Sequence, residues 1–111
     1  MSEWWKQVPA MEIVDGFIRD LYSPQYPSAG VYMHITDEET LSRVRAVILR
    51  AEVASAWTQR TLRWVASRPY QYHQLHMPHD ALEENREVYA TLIHELIGLG
   101  VVREIKANYG F

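Results

Sequence analysis

From Thr36 to Ser67 the chain runs about thirty residues without a Gly or a Pro, the two residues that most often weaken or break a helix. Within that run, apolar side chains recur at helical spacing on two faces. At about 100° per residue, Leu41, Val44, Ile48, Ala51, Ser55, Leu62 and Val65 make one stripe. Ala46, Val53, Trp57 and Trp64 make another about half a turn away. One stripe can be covered by the chain's own core, and the other needs a second cover. A continuous helix of this length would be roughly 46 Å long, whereas a compact chain of this size has a radius of gyration of only about 13 Å. Either the helix bends or breaks, or it projects and is covered by a partner. Association is the function to which this pattern points.

The ends of the run have recognisable chemistry. Thr36 suits an N-cap, its hydroxyl placed to accept from the Glu39 N–H while Glu39 reaches back, and Asp37 and Glu38 suit the positive end of the helix dipole. Pro69 pushes Arg68 out of helical backbone, so a helix is predicted over 37–67. Upstream, Pro9 precedes Ile13, Val14, Phe17, Ile18 and Leu21 at helical spacing, with Gly16 as a weak point, which predicts a helix over 10–22. Ser23–Gly30 has the Pro and Gly content of a loop. Val31, Met33 and Ile35 alternate with Tyr32 and His34, a strand over 31–35. A weaker alternation, rich in Tyr and His, predicts a second strand over 70–76.

Asp80, followed three residues later by Glu83, repeats the reciprocal capping logic and opens a third helix over 80–98. Leu82, Tyr89, Leu92, Ile93, Leu96 and Ile97 form its buried stripe, against Glu83, Glu84, Glu87, Thr91 and Glu95 outside. Gly98 or Gly100 supplies the left-handed residue that ends it, and 101–106 follows as a third strand. Three short strands separated by helices imply an α+β domain, with helices packed on one face of a small sheet. The alternative is a mainly α bundle. At 111 residues the chain is long enough for one core and not for two, so residues 1–111 are read as one domain.

Composition narrows the function by exclusion. There is no cysteine, which removes disulfides, thiolate catalysis and Cys-based zinc sites and fits a reducing compartment. A formal net charge of −3 and a pI of about 5.9 argue against a dedicated nucleic-acid or anionic-membrane binder. No segment reaches the roughly 18 apolar residues of a membrane span, and the chain is expected to be cytoplasmic. His73, His76 and His79 are three apart, but residues three apart on a strand face opposite sides of the sheet. They are read as strand and loop histidines, and no metal is expected. His94 and Glu95 are helical neighbours about 100° apart with no third group to orient them. No serine lies in a nucleophile elbow and no glycines form a phosphate loop. The chain is accordingly read as no enzyme, with no cofactor.

Arginine and tryptophan carry more information. Between Arg43 and Arg68 there are six arginines against the single acid Glu52, in a chain that is net negative. Arg and Trp together are the composition of interface hot spots. Arg43 and Arg50 flank one edge of the Trp57 and Trp64 stripe, and Arg60 flanks the other. An equally weighted reading pairs these arginines within the chain, against the acidic third helix. Four Trp and seven Tyr exceed what one small core normally hides, and Trp4 and Trp5 lie outside any amphipathic element. They are either interface anchors or a lid folded back over the core. The expected partner-binding residues are therefore Arg43, Arg50, Trp57, Arg60, Trp64, Trp4 and Trp5.

The profile is similar to that of stoichiometric inhibitors and adaptors of phage and mobile elements, anti-CRISPR proteins among them. That similarity implies a protein partner, and the two-faced helix adds a homodimer. A second class competes. Leu92–Leu96, Gly98, Gly100 and Val101–Ile105 resemble the recognition helix and wing strand of winged-helix domains, which implies a nucleic-acid-binding regulator. The third helix is acidic where a groove-reading helix is basic. A metal-dependent enzyme built on the histidines is the third class, disfavoured by strand geometry.

Overall fold

In the computed structural model, which describes residues 3–20, 28–51 and 72–108, the alternating segment around Val31 is the central strand of a sheet. This strand, β1 (Ser28–His34), lies between β2 (Tyr72–Pro78) and β3 (Val102–Asn108) and is antiparallel to both. All three expected strands form, each shifted by one to three residues from its predicted bounds. Ser28 to Gly30, expected in the loop, belong to β1 because they pair on both sides, with Pro78 to His76 and with Asn108 to Lys106.

Strand alternation sets the core. Ala29, Val31 and Met33 are buried on one face beside Leu75 and Met77 of β2. On β3 the pairing skips Arg103: Tyr32 opposes Glu104 but Met33 opposes Val102. This bulge turns Val102 and Ile105, three residues apart, to the same buried face, which a regular strand would not do. On the opposite face Tyr32, His34, Gln74 and His76 are half-buried, and Glu104 and Lys106 are exposed.

The helices supply the other layer. These are α1 (Ala10–Asp20), α2 (Glu38–Arg50), α3 (His79–Glu84) and α4 (Arg86–Gly98). Ile13, Val14 and Phe17 of α1, Leu41, Val44, Val47 and Ile48 of α2, and Leu92, Ile93 and Leu96 of α4 join the sheet residues in one core. Full burial of one such side chain contributes about 2 kcal/mol. α4 packs on α1 and on α2. Its first residue clamps α1: Arg86 donates from Nε to Asp15 Oδ1 at 2.8 Å and from Nη2 to Asp15 Oδ2 at 3.0 Å. The arrangement is the small α+β fold expected, rather than a helical bundle.

Three local readings need correction. The cap of α2 is Asp37, one residue after Thr36, and its carboxylate accepts from the Thr40 N–H at 2.8 Å and the Thr40 hydroxyl at 2.9 Å. α2 then ends at Arg50, because Ala51 takes extended backbone (φ −69°, ψ 126°). Of the alternatives for the long run, it is the break that occurs, and the rest of the expected helix, 52–67, lies outside the described residues. The expected 80–98 helix starts one residue early, at His79, and is two helices. Asn85 (φ −130°, ψ 38°) interrupts it, donating from its backbone N–H and its side-chain amide to the Ala81 carbonyl, at 3.0 and 2.9 Å. A side chain that satisfies the backbone locally is what lets a helix turn a corner there. Gly100 (φ 76°) is the left-handed residue after α4.

Candidate functional site

α2 buries Leu41, Val44, Val47 and Ile48, the first stripe and one neighbour, and so turns Arg43, Ala46, Leu49 and Arg50 outward. Leu49 is 63% exposed, the most exposed large apolar side chain among the described residues. It lies about 60° from Ala46 on the helical wheel, on the side of the second stripe. Ala46 is exposed with it. The arginines beside this patch have partners within the chain. Arg43 donates to Glu39 one turn earlier at 2.8 Å, and Arg50 Nη2 lies 3.3 Å from Glu95 Oε2 on α4. The Arg50 pair is the internal pairing with the acidic third helix that the charge pattern allowed. Both guanidiniums keep most of their surface in water, and exposed pairs of this kind contribute little. Either can be re-partnered at little cost.

The N-terminal tryptophans divide. Residues 4–6 make one turn of 3-10 helix, which sends Trp5 into the core at 4% exposure and leaves Trp4 at 38%. Trp4 packs edge-on against Trp5 (centroids 6.1 Å apart) and against Phe17 of α1 (6.5 Å). Trp5 therefore acts as the lid over the core, not as an anchor for a partner, and Trp4 alone reaches the surface. Trp57, Arg60 and Trp64 lie outside the described residues.

The histidines scatter as strand geometry requires. His73 stands opposite Met33 and His76 opposite Gly30, register positions on opposite faces of the sheet, while His79 begins α3. His79 Nε2 is 3.1 Å from the Ile18 carbonyl and its Nδ1 3.5 Å from Glu83, so its ring ties α3 to the end of α1. Burial lowers the pKa of His76 and favours its neutral form. His94 is exposed on α4. Among the described residues no three His, Asp or Glu side chains come together as a metal site requires, and no helix is long and apolar enough to cross a membrane.

Sequence reasoning passed over Leu49, which belongs to neither stripe as first drawn. The available signal was its position between Arg45 and Arg50, flanked by the second stripe. Comparison with protein-family models, with curated proteins and with solved structures finds no match.

Proposed function

We propose that this chain is a small non-enzymatic protein-binding module, a cytoplasmic stoichiometric inhibitor or adaptor of the phage anti-defence kind, anti-CRISPR proteins included. The observation that carries the reading is Leu49. A leucine held in water at the end of a helix, beside Ala46 and two weakly paired arginines, has the chemistry of an apolar anchor with a charged rim. Arg43, Leu49 and Arg50 form the described part of the binding surface, Trp4 is a second exposed apolar side chain, and Trp57, Arg60 and Trp64 extend the expected surface in sequence. A homodimer through the same face is part of the proposal. Nucleic acid is the less favoured partner, since the outward face of α4 carries Glu87, Thr91, His94 and Glu95.

The test compares the full chain with the variant Leu49→Glu and Arg50→Glu together. Light scattering at tens of micromolar, and recovery of the native complex through a salt series, are the readouts. Association that survives moderate salt and is lost in the variant supports the reading. A complex of DNA or RNA that dissolves as salt rises, as counterion release requires, replaces it with the regulator. A monomer near 13.0 kDa removes the dimer.

A further inference from the structure

β3 pairs with β1 along its inner side, and among the described residues no other strand or helix runs alongside it. Its outer row of N–H and C=O groups therefore faces no described strand. Lysine and a bulge usually discourage pairing at such a position, and β3 has both. The bulge is confined to Arg103: from Glu104 to Asn108 the register with β1 runs without a shift from Tyr32 to Ser28. The charges are Glu104 and Lys106, on the sheet face away from the core. They lie 3.5 Å apart and are 53% and 52% exposed, so this pair is exchanged at little cost. Ile105 between them is buried on the core side.

The order of these side chains decides which strand fits. When two copies of β3 pair antiparallel about a two-fold axis normal to the sheet, the residues meet symmetrically about one central residue, and both helix layers stay on one side. Centred on Glu104, the pairing sets Glu against Glu. Centred on Lys106, it sets Lys against Lys. Centred on Ile105, it sets Glu104 against Lys106 and Lys106 against Glu104, with Arg103 against Ala107. That register also uses the whole strand, from Val102 opposite Asn108. Directly opposite side chains on antiparallel strands touch, so opposite charges there favour pairing and like charges oppose it.

We propose that β3 pairs with the β3 of a second copy in the register centred on Ile105, joining the two three-stranded sheets into one, in the order β2-β1-β3-β3-β1-β2. A foreign strand finds the same backbone groups but not the matched charges, so the contact selects its own kind. Self-association through β3 is separate from that proposed for the Leu49 face of α2, and each can fail without the other.

The experiment is sedimentation of the full chain. One strand pair buries little surface, so this dimer is expected above the concentrations at which the Leu49 face is tested, from about 100 µM to about 1 mM. All samples carry Leu49→Glu, which takes association through α2 out of the measurement, and this parent chain should reach twice the 13.0 kDa chain mass. Adding Glu104→Lys sets Lys against Lys at both pairs, and adding Lys106→Glu sets Glu against Glu. Each alone should raise the dissociation constant at least about tenfold. A 1:1 mixture of the two should recover the parent's dimer, because each supplies the charges the other lacks, and the double variant with both substitutions should dimerise as the parent does. Both positions are in water, so every variant should melt within about 4 °C of the parent, and a lost dimer then reports on the contact and not on the fold. A parent that stays monomeric overturns the proposal and leaves the Leu49 reading standing. Single variants that dimerise like the parent overturn it as well, and so does a mixture that remains monomeric.

Discussion

At its N-terminal end α2 is held by residues that act within one turn: Asp37 caps the Thr40 N–H and hydroxyl, and Glu38 and Glu39 meet the positive dipole. At its C-terminal end no such device is present among the described residues. Arg50 is followed by Ala51 in extended backbone, with one N–H to the Ile48 carbonyl and no glycine to close the turn. The first end is specified by its own residues, and the second by what surrounds it. The start exposes only polar and charged side chains, Thr36 to Glu39, whereas the finish holds Leu49 in water. The proposed binding surface lies at the end that local sequence controls least.

The comparison can be tested by substitution along the helix. Ile48 is fully buried just before the loose end, so Ile48→Ala should cost about 3 kcal/mol in denaturant unfolding. A loss under about 1 kcal/mol would show that the last turn of α2 is not packed as a core element. A smaller effect is expected at the other end, where Asp37→Ala removes both hydrogen bonds to Thr40 and should lower the melting temperature by a few degrees.

The cap also has a pH signature. The hydrogen bonds from Thr40 hold the Asp37 carboxyl below its usual range, and in the unfolded chain the group titrates near pH 3.9. Because the folded value is the lower one, the contribution is whole above about pH 4 and is lost as pH falls through the folded value. Asp37→Asn keeps an acceptor and loses the titration, so melting temperature plotted against pH should fall less steeply on the acid side. The Arg86 clamp holds Asp15 low as well, which leaves some acid limb in the variant. An unchanged limb would mean that the cap contributes nothing by its charge. The smallest effect belongs to Leu49→Glu, a substitution in water that should move stability by no more than about 0.5 kcal/mol. A larger loss would show that Leu49 is covered in the free chain, and the contrast between the two ends would disappear.

What could be read in advance follows the same division. Alternation of Val31 and Met33 with Tyr32 and His34, the acids around Thr36 to Glu39, and the apolar stripe of α4 are local signals, and the elements they imply are present. The break at Ala51 had no local sign, since alanine is the best helix former and nothing from Thr36 to Ser67 interrupts the pattern. Asn85 carried a faint one. Asparagine is a poor helix-interior residue that satisfies backbone groups by itself, but the helical spacing from Leu82 to Leu96 masked it. Trp5 was undecidable without the third dimension, because its burial depends on joining a core built from residues far along the chain. At the candidate site Arg43 and Arg50 were legible as surface charges, but Glu95 became the partner of Arg50 only through the packing of α4 on α2.

The order β2-β1-β3 also sets when the molecule can be finished. β1 is made early, yet Val31 takes one neighbour from Leu75 and the other from Ile105, residues that leave the ribosome much later. Until they arrive, the most apolar strand of the sheet has two open edges, and an open edge is a template for any other extended chain. Closing so long a loop is slow beside the formation of any of the helices. Synthesis of this protein therefore passes through an interval in which the residues of α1 and α2 have been made and the sheet cannot yet close. The burden of keeping the chain from aggregating falls on that interval rather than on the finished fold.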